Sequence, residues 1–248
     1  MLARIREVAG DVGFYYKNLV TGESSAFQAD KPLVAASVIK LPIMMEAFRR
    51  FDAGLLDPDA LIAVRDADRV PSCGVLTYLH DGVTVSVRDL VTLMIIVSDN
   101  TATNVLIDML GFESVNALLD QLGAPNTRLR RKMFDAESSA RGIQNTITAG
   151  EIGMLLEKLY WGDVISPAAS KAMLGILKNQ RLNGKMPFLF QEKMDMAHKT
   201  GEDSGVTHDV GIVYAKQPFI ACFCSNNVDV PRFERLMQKM TWEMAYEQ

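Results

Sequence analysis

The stretch Ala36-Ser37-Val38-Ile39-Lys40-Leu41-Pro42-Ile43-Met44-Met45-Glu46-Ala47-Phe48-Arg49-Arg50-Phe51 decides the architecture. It is mostly apolar, long enough for four helical turns, and stops near Gly54. A helix that is apolar nearly all round belongs in the interior of a protein, with other layers packed around it. Its start carries two polar residues, Ser37 and Lys40, three apart and therefore on one face of the helix.

Outward from this helix the pattern changes on both sides. Residues 2–9 have apolar side chains at helical spacing, residues 12–18 alternate as a strand up to the turn at Thr21-Gly22, and residues 24–28 return as its hairpin partner. Residues 87–162 read chiefly as helix, broken by a polar loop at about 127–146. Strands return at 196–200, 206–215 and 219–225, with a turn at Gln217-Pro218 between the last two. After Pro231, the residues Phe233, Leu236, Met237, Met240 and Met244 line one face of a closing helix. Strands at both chain ends with helices between them predict an α/β (α+β) protein. One antiparallel sheet is built from the two ends and flanked by helices, with an all-helical subdomain inserted. The sheet lobe takes residues 1–35 and 163–248, the helical lobe takes 36–162, and the site is expected between them.

Composition sets limits on function. The chain has 248 residues, 48% hydrophobic and 23% charged, with a net charge of -4. That is an ordinary globular composition, with no basic footprint for nucleic acid or an acidic membrane. The longest apolar runs fall far short of a membrane span, so no membrane anchor is expected. The first ten residues lack the apolar core of a secretory signal, which predicts a cytoplasmic protein as written, or an extracytoplasmic one if the chain is a trimmed mature form. Three cysteines argue against a disulfide framework. Cys222 and Cys224 share one face of a strand, and Cys73 sits in a loop beside Gly74. The three histidines His80, His198 and His208 form no metal-ligand motif, so neither metal nor cofactor is expected. Oligomeric state is not readable.

Three short elements carry chemistry. In Ser37-Val38-Ile39-Lys40 the lysine amine can reach the serine hydroxyl. Serine is a weak nucleophile until a base takes its proton, and a lysine serves when burial or a nearby cation lowers its pKa. At the start of a helix, free backbone N–H groups favour a developing oxyanion. Ser98-Asp99-Asn100 opens the polar row 98–104 between apolar segments. A helix cap explains one residue of that row but not all of them. Lys199-Thr200-Gly201 ends a strand and offers a cation, a hydroxyl donor and close backbone approach. Each element alone has an ordinary structural explanation.

Together, in this order, they are the signature of class A β-lactamases and penicillin-binding proteins. The gaps of 61 residues from Ser37 to Ser98 and 101 from Ser98 to Lys199 also resemble those of class A β-lactamases. The likeness extends over nearly the whole chain. It implies a β-lactamase/transpeptidase-like fold and a serine hydrolase with a covalent acyl-enzyme. Ser37 would be acylated, Lys40 would activate it, and Ser98 would pass a proton to the leaving nitrogen. Asn100 would hold the substrate's amide, and Lys199 and Thr200 would bind its carboxylate, with Gly201 letting the backbone approach. The oxyanion would lie between the N–H groups of Ser37 and Glu202.

The resemblance breaks in the loop after Thr127. Class A β-lactamases carry there a glutamate that activates the deacylating water; in an ungapped alignment Met133 occupies its place, and methionine cannot be a base. Glu137 is the first substitute, with Asp135 close behind, and either could instead be an exposed loop carboxylate. His208 stands where several family members place an arginine. It would supplement Lys199 in holding a carboxylate, or be satisfied by Asp209 or the backbone. The expected function is hydrolysis of β-lactam amide bonds, the partner being a small β-lactam or related acyl compound. The alternatives are a penicillin-binding D,D-peptidase or esterase relative with slow deacylation, and a non-catalytic ligand-binding module. Intact Ser37 and Lys40 argue against the module.

Overall fold

The computed structural model describes residues 2–192 and 194–246. Strands β1 (Asp11–Asn18), β2 (Ser24–Phe27), β7 (Met196–Asp203), β8 (Val206–Val213) and β9 (Phe219–Asn226) form one antiparallel sheet in the order β2-β1-β9-β8-β7. The two chain ends meet where β1 pairs with β9, from Asp11 opposite Asn226 to Asn18 opposite Phe219. The sheet from both termini is therefore as the sequence pattern requires.

Alternation along the strands divides the sheet into two apolar faces. Phe219, Ala221 and Phe223 face a cluster with α1 (Leu2–Arg6) and α9 (Val230–Tyr246), filled by Ile5, Phe233, Met237 and Met240. Ile220, Cys222 and Cys224 face the other way, into the larger core. Burial raises both thiol pKa values, so these cysteines are inert filler.

The larger core surrounds α2 (Lys40–Asp52). Nine successive residues of it, Lys40 to Phe48, are buried, as an all-round apolar helix requires. Around it stand α3 (Val87–Ile96), α4 (Asn100–Leu110), α5 (Phe112–Leu122) and α8 (Pro167–Lys178), while α7 (Ala149–Trp161) packs on β1 and β9. Buried Glu46 is matched by Arg49 and Arg50 at 2.7 and 2.9 Å, which satisfies the one carboxylate on α2's inner turns.

Some elements escape the sequence pattern. A hairpin of β4 (Leu61–Val64) and β5 (Val83–Ser86) and a two-residue pairing of β3 (Leu33–Val34) with β6 (Thr146–Ile147) are too short for periodicity to register. The helix α8, capped by Ser166 with Pro167 in its first turn, lies beyond the helical stretch 87–162 that the pattern marks. The polar loop 127–146 holds only one short helix, α6 (Ala136–Ala140).

Candidate active site

A 3₁₀ turn, Ala36–Ile39, leads into α2 and holds Ser37 at the mouth of a cavity of about 560 Å³. Ala36 has φ 42°, a left-handed value that costs a non-glycine residue energy and is kept only where the surroundings impose it. The imposing neighbour is β7. A Cβ on Gly201 would lie 3.2 Å from Val38 and 3.4 Å from the Ala35 carbonyl, so the strand and the serine turn are in close contact through a residue without a side chain. Glu202, next along β7, lines the same cavity as Ser37.

Lys40 is fully buried directly behind the turn. Its Nζ donates to the Ser98 carbonyl at 2.8 Å, lies 3.0 Å from Ser98 Oγ, and donates to Asn100 Oδ1 at 2.7 Å. Lys199 Nζ approaches the same Ser98 hydroxyl at 3.1 Å and donates to the Thr200 carbonyl at 2.8 Å. One hydroxyl thus joins two buried amines. No hydrogen bond joins Ser37 to Lys40 among the described residues. Burial, reinforced by the charge of Lys199, holds Lys40 well below the ordinary lysine range. Burial and the nearby Lys185 cation bring Lys199 down to about 7. A neutral amine can take a hydroxyl proton, whereas an ammonium has no lone pair to do so.

The three-residue row at 98–100 is divided by task. Ser98 adopts φ 56°, which turns its side chain out of the helix line towards the two lysines. Asp99 is the helix cap: its Oδ1 accepts from Ala102 N at 2.9 Å, while Oδ2 accepts from Val75 N and Leu76 N at 2.7 and 2.9 Å. Asp99 thereby fastens the rim loop carrying Ser72 and Cys73 to α4, and both of those residues line the cavity. Asn104, later in the same row, clamps Met133 by its backbone, accepting from its N–H at 2.8 Å and donating to its carbonyl at 3.0 Å. Asn145 accepts from the N–H groups of Arg130 and Arg131. Asn104 thus ties the 127–146 loop to α4, and Asn145 ties the two ends of the loop to each other. Asn104 is visible in the sequence only as an unexplained member of the polar row.

Two sequence expectations need correction. Glu137 does not reach the cavity: its side chain is 84% exposed and faces Arg141 at 3.6 Å. It lies in the first turn of α6, and helical geometry directs it outward towards its i+4 neighbour. Asp135, the N-cap of α6, does line the cavity together with Met133 and Phe134. The Ser138 N–H bonded to its carboxylate at 2.9 Å holds its pKa below the usual range.

His208 is not available to a substrate. It is fully buried, accepts from Ser225 N–H at Nδ1 (3.0 Å), and from Nε2 donates to the Val34 carbonyl at 2.8 Å. Both ring nitrogens are used by backbone, and burial lowers its pKa to about 4, so the ring is neutral. Its edge packs on Gly201, where a Cβ would be 2.9 Å from the ring.

The cation that sequence reasoning missed is Lys185. It is buried, donates to the carbonyls of Gly201 and His208, both at 3.1 Å, and lies 3.2 Å from Glu202. Its position in a Pro- and Gly-containing loop gave no hint that it folds back under β7. Among the described residues no group of three or more His, Cys, Asp or Glu side chains could hold a metal ion. Nor, among them, is any helix long and apolar enough to cross a membrane.

A family model of the β-lactamase enzyme family matches residues 2–245. A β-lactamase of Rhodobacter capsulatus is 29% identical over 236 residues, covering 92% of this chain and 80% of that protein. The crystal structure of a β-lactamase from Sphaerobacter thermophilus superimposes with a TM-score of 0.90 at 30% identity, covering 98% of this chain and 93% of the other. A leucine-to-glutamate variant of PBP-A, solved as its acyl-enzyme complex with penicillin G, does so with a TM-score of 0.88 at 27% identity over 98% and 92% of the two chains.

Proposed function

Since this chain belongs to the β-lactamase enzyme family, we propose that it opens β-lactam amide bonds through a covalent acyl-enzyme on Ser37 and then hydrolyses the ester. The observation that carries this reading is the chain Lys40–Ser98–Lys199, in which one hydroxyl bridges two buried amines beside the nucleophile.

In this reading, neutral Lys40 takes the Ser37 proton as Oγ attacks the lactam carbonyl. Negative charge developing on the carbonyl oxygen is met by the N–H groups of Ser37 and Glu202. When the C–N bond breaks, Ser98 gives its proton to the nitrogen and regains one from Lys40, so the proton taken from Ser37 ends on the leaving group. Protonated Lys199 and the Thr200 hydroxyl receive the substrate carboxylate, and Asn100 receives its amide. No cofactor enters. Hydrolysis of the ester then requires a water and a base, for which Asp135 is the loop carboxylate on the cavity wall.

A second reading, a penicillin-binding D,D-peptidase or esterase relative that acylates but deacylates slowly, is favoured by one observation. Met133 is 9% exposed and clamped in place by Asn104, with no carboxylate of its own to offer. Intact-mass measurement after a short pulse of penicillin separates the readings. Wild type should gain and then lose one penicilloyl adduct, and Ser37→Ala should gain none. An adduct that persists for hours with negligible product selects the slow-deacylating reading. Undiminished labelling of Ser37→Ala overturns both.

A further inference from the structure

The closing helix carries a second surface. α9 buries Phe233, Met237, Met240 and Met244 against the sheet. On its outer side Arg232, Arg235, Lys239, Trp242 and Tyr246 are all exposed. Their spacing alternates between three and four residues, which draws one stripe along a helix. The stripe is basic at its start and aromatic at its end.

The two halves differ from ordinary surface in distinct ways. Among the described residues no ion pair involves the side chains of Arg232, Arg235 or Lys239, although the chain as a whole has a net charge of -4. The nearby carboxylates are partly engaged: Asp229 accepts from the Arg232 backbone N–H, and Glu243 is paired with Arg4. Glu7 also borders the groove between Arg4 and this helix. At the aromatic end, Trp242 is 41% and Tyr246 55% exposed, with ring centroids 5.1 Å apart. Phe190 packs on Tyr246 at 5.8 Å and extends the patch to exposed Phe188 and Leu189. Gln238 donates to the Gly184 carbonyl at 2.8 Å and ties that segment to α9.

We propose that this stripe seats the protein on the surface of a bilayer containing anionic phospholipid, with the axis of α9 in the plane of the headgroups. Lysine and arginine gain from the negative potential of such a surface. Tryptophan and tyrosine, with an apolar ring and a polar tip, settle at headgroup level. A helix with its cations and ring systems along one exposed stripe presents both to the same plane. The Ser37 cavity belongs to the opposite side of the sheet, so a protein held in this way keeps its cavity open to solvent. The inference does not depend on the chemistry assigned to Ser37.

The test uses sedimentation with vesicles of phosphatidylcholine alone, or with about 30% phosphatidylglycerol, at about 50 and 300 mM NaCl. Binding is expected only to the anionic vesicles and should weaken at least about tenfold at the higher salt. Arg235→Glu/Lys239→Glu should weaken it by about 25-fold or more, each of the two cations being worth roughly fivefold. The chain has two tryptophans, Trp161 and Trp242. A blue shift of emission on binding should survive Trp161→Phe and vanish in Trp242→Phe. Circular dichroism and thermal melting establish that each variant is folded. Absence of binding to anionic vesicles, equal binding by the charge-reversed variant, or binding that leaves Trp242 emission unmoved would each overturn the proposal.

Discussion

Replacing Lys199 by methionine should make the protein more stable at neutral pH while disabling it. In the unfolded chain this amine keeps its proton up to about 10.5, whereas in the folded protein burial brings its pKa to about 7. Between those values the unfolded state binds more protons, so stability falls as pH drops from 10.5 to 7 and levels off below. At about 1.4 kcal/mol per pKa unit, the penalty near pH 7 is about 4 kcal/mol. Methionine fills a similar volume without charge. It forfeits the contacts with Ser98 Oγ and the Thr200 carbonyl, worth about 1 kcal/mol each. The variant should therefore gain about 2 kcal/mol at pH 7 and lose about 2 kcal/mol above pH 10.5, changing sign in between. Relief of the repulsion on Lys40 acts in the same direction at low pH. Urea unfolding of both proteins at several pH values from 6 to 10.5 measures the difference, and penicillin labelling of the variant should fall sharply. A stability difference that does not move with pH, or a variant less stable than wild type at pH 7, refutes the argument that burial strains this lysine.

The remaining predictions concern the loop, the buried histidine and the rim. Asp135→Asn should acylate normally but accumulate adduct, with turnover reduced by roughly 10²–10⁴, the usual worth of a general base. Glu137→Gln should leave both steps unchanged, and intact-mass kinetics report each variant. His208, with its pKa lowered to about 4, should cost wild type about 3 kcal/mol as pH falls from 6.5 to 4, because the unfolded ring protonates first. His208→Gln should lack that slope in urea titrations, and acid should not strengthen substrate binding in either protein. At Gly74, φ is +120° and a Cβ would lie 2.3 Å from the Asp99 carboxylate. Gly74→Ala should therefore lower stability by about 1–3 kcal/mol by thermal melting. It should also slow penicillin labelling, as the rim loop lifts from α4.

What sequence alone determined was whatever depends on short-range pattern. Period-two alternation placed strands at both chain ends, and the apolar run after Ser37 placed α2 at the centre. The three motifs brought Ser37, Lys40, Ser98, Asn100, Lys199 and Thr200 to attention because each is a cluster of chemistry within a few residues. Tertiary structure alone decided which polar groups face the cavity and which are consumed in building it. His208 was legible as a residue type in a suggestive place, yet the Ser225 N–H and the Val34 carbonyl, from strands distant in sequence, take both of its nitrogens. Lys185, silent in sequence, became a buried cation under β7. Asp135 and Glu137, two residues apart and chemically alike, are separated by the first turn of a five-residue helix: Asp135, its cap, lines the cavity that also holds Ser37, whereas Glu137 stands in solvent. Local pattern reports the energy of a segment with itself, whereas desolvation and long-range hydrogen bonds, which set these roles and the lowered pKa values of Lys40 and Lys199, arise only when distant segments meet.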